Sequence, residues 1–159
     1  MNEFTHFDKN GHVRMVDVGA KPTTSRMATA SGIIEMQSET LDQIKNGQIK
    51  KGDVLEVARI AGIMATKKTA DLIPLCHNIS LNSVTINFEI IEPTAIQVHV
   101  NVSATEKTGV EMEALSGVSA ALLTVYDMCK SRDRAMLIRS IQLDRKSGGK
   151  SGEFKRNQD

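Results

Sequence analysis

The order of apolar and polar positions predicts a long helix from Thr108 to Lys130. At about 100° per residue, one side of this helix is apolar and carries Leu115, Val118, Leu122, Val125 and Cys129. The opposite side carries the small residues Gly117, Ala120 and Thr124, with Glu113 near one end and Asp127 near the other. The pattern predicts core packing on the first side. It predicts close approach of a second element on the other.

The two acids of this helix cannot serve one small-molecule site within one chain. They are fourteen positions apart, so a rise of about 1.5 Å per residue separates them by roughly 21 Å. Two copies of the helix that cross antiparallel about Ala120 would bring Glu113 of one chain toward Asp127 of the other. The alternative is that acids in the first turn and bases near the last turn only complement the helix dipole. The helix alone slightly favours this alternative.

The remaining pattern predicts two shorter helices and four strands. Ser38 caps a predicted helix from Glu39 to Asn46. Asp53, paired with Glu56, begins a second helix that runs to about Ala70, whose predicted buried stripe is Val54, Val57, Ala58, Ala61, Met64 and Ala65. Strands are predicted at Ser31–Met36, Ser83–Ile90, Thr94–Ser103 and Met136–Leu143, the middle two joined as a hairpin through Glu92-Pro93. This order predicts an α+β fold, a ferredoxin-like antiparallel sheet with helices packed on one face.

Composition narrows the class of protein. The 159 residues, 40% apolar and 25% charged, predict one domain over 1–159 with a flexible start of about 15 residues and a flexible C-terminal tail. Aromatic residues make up 3%, which argues against a nucleic-acid partner that stacks its bases. No apolar run long enough to cross a membrane occurs. Two cysteines without a signal peptide predict reduced thiols and a cytoplasmic location.

Two segments could bind an anion or move protons. The run KSGGKSG, from Lys146 to Gly152, offers backbone N–H groups and lysines that could cradle phosphate, although it is not a P-loop. The alternative is a flexible linker. In LIPLCHN, from Leu72 to Asn78, His77 could recognise a ligand or shuttle a proton, and the alternative is a buried Cys76 beside a polar loop histidine. Metal-ligand spacings are absent from the sequence, so no metal is expected.

Lysines beside acids offer a third possibility. Asp127 and Lys130 are three positions apart on one helix face, which suits either a surface ion pair or a rigid acid/base pair. Lys51 lies between the two shorter predicted helices. A lysine close to other cations in an anionic pocket can have a lowered pKa and can transfer protons. The sequence leaves the surface and catalytic readings open.

Several long segments, in order, resemble one family. KGDVLEVARIAGI, DLIPLCHNISL, KTGVEMEALSGVSAALLTVYDMCK and KSGGKSG are similar to the cyclic pyranopterin monophosphate synthases of molybdenum cofactor biosynthesis (the molybdenum cofactor biosynthesis protein C family). The likeness runs from about Met15 to Phe154. One departure is Asn78, which follows His77 where many members have proline. It bears on the stiffness of the loop more than on its chemistry.

The resemblance implies a reaction and a set of residues. Family members convert 3′,8-cyclo-7,8-dihydroguanosine 5′-triphosphate to cyclic pyranopterin monophosphate and release diphosphate, a lyase reaction for which no cofactor is expected. The resemblance assigns the catalytic aspartate to Asp127 and active-site lysines to Lys51, Lys130 and Lys146. It assigns substrate contacts to Leu75, Cys76, His77, Met112 and Glu113, with Glu111 near the pocket. It also implies a homohexamer, a trimer of dimers with active sites at a subunit interface.

The implied chemistry suits these side chains. Lysines and a glycine-rich backbone stabilise charge on a triphosphate and on departing diphosphate. Positioned acids and bases serve the proton transfers of ring opening and closure. We expect Lys51 and Lys130 to share the acid/base work, with Asp127 orienting Lys130. The main alternative is a ferredoxin-like sensor that binds a nucleotide at an oligomer interface without catalysis. That alternative gives Asp127 and Lys130 no role.

Overall fold

The computed structural model describes residues 6–157. Its helices and strands, in chain order, are β1 (Thr24–Glu35), α1 (Ser38–Lys45), α2 (Val54–Thr66), α3 (Thr69–Leu72), β2 (Leu81–Ile91), β3 (Ala95–Glu106), α4 (Glu111–Cys129), β4 (Leu137–Ser147) and β5 (Phe154–Lys155). The strands form one antiparallel sheet in the order β2-β3-β1-β4-β5. The central order β2-β3-β1-β4, with α2 and α4 as the crossing helices, confirms the predicted ferredoxin-like α+β fold.

The core lies between the sheet and α4. Val118, Leu122, Val125 and Cys129 are fully buried, as the periodicity predicted, and Leu115 is half-buried. Gly32 on β1 permits close contact, because a Cβ there would lie 2.7 Å from Val118 Cγ1 and 2.8 Å from Leu122 Cδ1. A side chain at this position would therefore push α4 away from the sheet.

The small-residue side of α4 closely approaches α2 of the same chain at Gly117, as the predicted approach of a second element requires. Gly117 is buried against α2, and a Cβ on it would lie 2.9 Å from Thr66 Cγ2. The facing Gly62 approaches equally closely, since its Cβ would lie 3.0 Å from the Gly117 carbonyl oxygen. The strip through Gly117, Ala120 and Thr124 is therefore not available as a whole to a second copy. Ala120 and Thr124 are half-buried, and the crossing of two copies about Ala120 stays a prediction.

The predicted stripe of α2 was also wrong in part. Val57 and Met64 were expected to be buried but are exposed. The buried side instead consists of Val54, Ala58, Gly62 and Thr66. These positions recur every four residues, and small residues among them let α2 lie close to α4. The sequence pattern missed this because Gly62 and Thr66 are not strongly apolar residues.

At the start of α2, one of the two predicted capping residues acts as expected and the other does not. Asp53 caps α2 as predicted, accepting hydrogen bonds from the backbone N–H groups of Leu55 and Glu56 at 3.1 Å. The Glu56 carboxylate was expected to join Asp53 in the cap. It instead accepts a hydrogen bond from Arg59 Nε at 3.1 Å. Helix α2 ends at Thr66 rather than Ala70, and the short helix α3 follows at Thr69–Leu72.

Ser38 does not cap α1 as predicted, and a distant carboxylate instead anchors the residue before the helix. Ser38 is the first residue of α1 and Gln37 is its N-cap, without a side-chain cap of its own. Asp133 Oδ2 accepts a hydrogen bond from the Gln37 N–H at 2.8 Å, and Asp133 is 2% exposed. A contact between residues 96 positions apart cannot be read from local sequence.

The strands extend beyond the predicted limits. β1 begins at Thr24 rather than Ser31, because it pairs with β3 from Thr24 onward. The predicted hairpin of β2 and β3 is confirmed and is longer than expected. After β4, glycines in left-handed conformations turn the chain into β5, which pairs with Arg145 and Lys146. No helix of residues 6–157 is long and apolar enough to cross a membrane.

Candidate functional site

Three of the predicted catalytic residues meet where α4 ends and α2 begins. Lys130 Nζ lies 2.6 Å from Asp127 Oδ1, and Lys51 Nζ lies 3.4 Å from Asp127 Oδ2. Lys51 Nζ also donates to the backbone carbonyl of Asp127 at 2.9 Å. We name these three residues the lysine–aspartate cluster. Its side chains are about half exposed, so each is open to a reacting molecule.

The cluster fixes the charge of its members. The hydrogen bond from Lys130 lowers the pKa of Asp127, with a further lowering from Lys51. The same contact with Asp127 raises the pKa of Lys130. Asp127 is therefore an anion and Lys130 a cation at neutral pH. The raised pKa makes Lys130 a weaker acid, the opposite of the lowered lysine pKa considered from the sequence.

The predicted substrate contacts gather at the other end of α4. Leu75 to His77 line a cavity of about 320 Å³ together with the first turn of α4, which contributes Glu111, Met112 and Glu113. The wall opposite includes Val16, Val18 and Lys21 from the segment before β1. His77 Nε2–H donates to the Val16 carbonyl at 2.8 Å; a carbonyl can only accept, so Nε2 carries the proton.

Glu113 is the most perturbed acid of this cavity. It is 3% exposed, and burial raises its pKa to about 7, with a further contribution from the neighbouring carboxylate of Glu111. A hydrogen bond from the backbone N–H of Glu113 to its own carboxylate opposes this rise in pKa. Burial and Glu113 also raise the pKa of Cys76, so the Cys76 thiol stays protonated at neutral pH and is a poor nucleophile.

A second cavity, of about 590 Å³, adjoins the first and is strongly basic. The two share Lys21, Thr108, Gly109 and Glu111. The cations that line the second cavity are Lys21, Arg26, Lys107, Lys146 and Lys150. Glu111 is its one acid among the described residues, and Lys146 Nζ lies 3.6 Å from Glu111 Oε1. This balance of charge favours a polyanion as the occupant.

The glycine-rich run forms one wall of the basic cavity. Gly148 and Gly149 have φ angles of 101° and 73°, a region that other residues avoid. Close packing reinforces this requirement, because a Cβ on Gly149 would lie 1.8 Å from Arg26 Nη1. Lys146 is held by a hydrogen bond to Ser151 within the same turn. The segment is thus a structured turn beside a cavity.

Sequence reasoning missed three cations of this cavity: Lys21, Arg26 and Lys107. Arg26 Nε donates to the Glu106 carbonyl at 3.2 Å and its Nη2 donates to the Lys107 carbonyl at 3.3 Å. These contacts join residues 80 and 81 positions apart. In the sequence, Arg26 stands out only as an arginine in an otherwise neutral stretch before the predicted first strand. Its place in the cavity depends on the pairing of β1 with β3.

The predicted site residues therefore form two groups in one chain. The lysine–aspartate cluster lies at the C-terminal end of α4, and the two cavities lie at its N-terminal end. An unbroken helix separates Glu113 from Asp127, which corresponds to roughly 21 Å along the axis. Within residues 6–157, no three His, Cys, Asp or Glu side chains are placed to hold a metal ion.

Comparison with known proteins gives consistent matches over nearly the whole chain. The model of the MoaC family matches residues 15–149. A cyclic pyranopterin monophosphate synthase of Desulfitobacterium hafniense is 57% identical over 152 residues, which cover 96% of this chain and 93% of that protein. Proteins of the same name from Natranaerobius thermophilus and Novosphingobium aromaticivorans are each 54% identical, covering 97% and 98% of this chain and 98% of each relative.

Proposed function

The chain belongs to the MoaC family, and we propose from that premise that it converts 3′,8-cyclo-7,8-dihydroguanosine 5′-triphosphate to cyclic pyranopterin monophosphate. Diphosphate is released, so the enzyme is a lyase of molybdenum cofactor biosynthesis. The observation that carries this proposal is the basic cavity, whose cations suit a triphosphate, directly beside a cavity with a buried carboxyl. The two together match the two halves of a nucleotide-derived substrate.

The basic cavity is the proposed site of the triphosphate. Lys146 and the backbone of the glycine turn face the phosphate oxygens, with Arg26 and Lys107 nearby. Closing a cyclic phosphodiester places additional negative charge on the departing diphosphate. Fixed cations stabilise that charge without reorganising during the reaction. Lys146 is therefore assigned to binding and to stabilisation of the leaving group.

The smaller cavity is the proposed site of the ring system derived from guanine. Leu75 and Met112 supply apolar contacts, and Cys76 adds a neutral thiol. Glu113 and His77 can exchange hydrogen bonds with ring nitrogens and exocyclic groups. Glu111 lies between both cavities, next to Lys146. These residues hold the substrate, and the proton transfers are assigned to the lysine–aspartate cluster.

In the cluster, Asp127 keeps Lys130 charged and oriented. Lys130 then donates a proton to the substrate as ring bonds break. Lys51 lies at the other carboxylate oxygen of Asp127 and exchanges protons with a second position of the substrate. Neutral pH favours the charged forms of Asp127 and Lys130 at rest. The cluster can thus transfer protons once the substrate is bound beside it.

We further propose that this substrate is shared between two chains. The separation along α4 places the cluster and the cavities too far apart within one chain for one small molecule. A homo-oligomer with sites at the subunit interface, a hexamer built as a trimer of dimers, would supply one group from each chain. The reduced thiols support a cytoplasmic location for this assembly.

The test is direct assay of the reaction. The purified protein is incubated with the cyclised GTP substrate, and both diphosphate and cyclic pyranopterin monophosphate are measured. We expect Lys130→Ala and Asp127→Asn each to lower kcat by at least about 100-fold while circular dichroism stays unchanged. Lys68→Ala is the matched control, because it removes another exposed ion pair, with Asp71 at 3.4 Å. Binding without product would favour the sensor alternative.

A further inference from the structure

A turn in the segment before β1 carries Lys21 to the boundary between the two cavities. Asp17 Oδ1 accepts a hydrogen bond from the Gly19 N–H at 2.8 Å, and the Lys21 N–H donates to the Val18 carbonyl at 3.0 Å. We name residues 17–21 the Lys21 turn. Lys21 itself lines both cavities. The two hydrogen bonds bend the chain locally, as aspartate turns do, but they do not join the turn to the rest of the fold.

A long-range hydrogen bond holds the turn in place. Lys107 Nζ donates to the Gly19 carbonyl at 2.7 Å, across 88 positions of sequence. All residues of the turn except Val18 are exposed, so apolar packing contributes little to its stability. His77 holds the preceding residue, Val16, at 2.8 Å, whereas Lys107 contacts the turn itself. A charged donor makes this bond stronger than one between neutral groups.

The backbone of Lys107 is well anchored. Lys107 directly follows β3, whose last residue, Glu106, pairs with Thr24 of β1. Arg26 Nη2 donates to the Lys107 carbonyl at 3.3 Å. The side chain therefore extends from a fixed backbone to the Gly19 carbonyl. A contact from a rigid element is the kind that defines the position of an exposed turn.

The turn has to be held against electrostatic repulsion. Four other cations line the basic cavity with Lys21: Arg26, Lys107, Lys146 and Lys150. Like charges drive an exposed lysine away from such a cavity when no anion is present. The Gly19 carbonyl offers Lys107 a partial negative charge. Their hydrogen bond therefore draws the turn toward the cavity, although Lys21 is repelled from it.

We infer that Lys107 is a positioning residue, which binds the Gly19 carbonyl and thereby holds Lys21 at the boundary of the cavities before a polyanion enters. Lys107 thus acts on the ligand through Lys21. This role rests on the proposed binding of a triphosphate in the basic cavity and adds the residue that prepares the cavity for it. Preorganised binding groups lose less conformational entropy on association, so the anchored turn contributes to affinity.

The first test uses the acid of the turn, because charge and position predict opposite results for it. Asp17→Ala removes a negative charge, which by charge alone strengthens the binding of an anion. It also removes the acceptor of the Gly19 N–H. We therefore expect its dissociation constant for inorganic triphosphate, measured by calorimetry at fixed ionic strength, to rise at least about fivefold. Asp17→Asn is the matched control, because it keeps an acceptor oxygen and should bind at least as tightly as the wild type. Unchanged or tighter binding by Asp17→Ala would overturn the inference.

The second test measures the coupling of Lys107 to Lys21. Lys107→Met and Lys21→Met should each weaken triphosphate binding at least about fivefold, and the double variant should bind no more than about twofold more weakly than Lys21→Met. Lys150→Met is the matched control, because it removes another cation of the same cavity, and its effect should multiply with that of Lys21→Met. If the effects of Lys107→Met and Lys21→Met also multiply, Lys107 acts independently of Lys21 and the inference is wrong.

Hydrogen–deuterium exchange follows the turn without a ligand. The backbone amides of residues 17–21 should exchange at least about fivefold faster in Lys107→Met and at the wild-type rate in Lys150→Met. Wild-type exchange in Lys107→Met contradicts the anchoring contact. If the wild type forms product and the effects of the two lysines multiply, the positioning role is wrong and the function stands. If no product forms while the two lysines are coupled, the positioning role stands and the function fails; a wild type that does not bind triphosphate contradicts both.

Discussion

At the scale of single residues, Glu113 couples the stability of the protein to pH. Burial raises its pKa from 4.5 to about 7, so the folded protein retains a proton that the unfolded chain releases. The free energy of unfolding should therefore fall as pH rises from about 4.5 to about 7 and level off above that range. We expect Glu113→Gln to reduce this fall by on the order of 2 kcal/mol. Urea denaturation across that range, at one protein concentration, measures it.

The control for this prediction is Glu39→Gln, which changes an exposed carboxyl group on α1. Its pH dependence should match that of the wild type. A Glu113→Gln protein whose stability still falls over the same range would show that another group carries the proton. The sequence identified Glu113 as a candidate, but burial, which sets its protonation, depends on α2, on the loop at His77 and on its own helix together.

At the scale of elements, the packing of α2 on α4 depends on two glycines. A Cβ on Gly117 would lie 2.9 Å from Thr66 Cγ2 and 3.1 Å from Val100 Cγ1, so Gly117→Val must separate α2 from α4 or distort the helix. We expect it to lower the free energy of unfolding by about 1–3 kcal/mol, measured by chemical denaturation. Ser119→Ala, on a half-exposed position of the same helix, should change it by less than about 0.5 kcal/mol.

A second element depends on one carboxylate. Asp133 accepts hydrogen bonds from the N–H groups of Gln37 at 2.8 Å and Ala135 at 3.0 Å. In Asp133→Ala, both N–H groups lose a partly buried partner, and we expect a loss of about 1–3 kcal/mol in the free energy of unfolding. Asp133→Asn keeps one acceptor oxygen and should lose less. Equal losses in the two variants, measured by thermal or urea denaturation, would contradict the importance of these two hydrogen bonds.

At the scale of the whole molecule, the divided site predicts complementation. Lys146→Ala alters the cavities of a chain, and Asp127→Asn alters its cluster. Each variant alone should lose at least about 99% of its activity. A mixed dimer would contain one site with both changes and one with neither. Because random pairing makes about half of the dimers mixed, co-expressed chains should recover about a quarter of the wild-type activity. If the site lay within one chain, every site would stay defective and the mixture would remain inactive.

The sequence by itself determined the fold class and supplied most of the candidate site residues, although not Lys21, Arg26 or Lys107. Periodicity defined α4, alternation defined the β2–β3 hairpin, and the motifs around His77, Asp127 and Lys146 supplied the residues. These features are local, because period, turn chemistry and motif spacing act over a few residues. Local pattern did not identify the buried side of α2, where Gly62 rather than Val57 faces the core.

Only the tertiary structure decided which residues meet. Arg26 reaches the carbonyls of Glu106 and Lys107 because β1 pairs with β3, and Asp133 reaches the Gln37 N–H before α1 because β4 returns beside β1. Lys51 reaches Asp127 because α2 and α4 pack antiparallel. Each contact joins residues more than 70 positions apart, and no short-range pattern encodes it. The physical reason is that side-chain proximity is set by which backbone segments pair and pack.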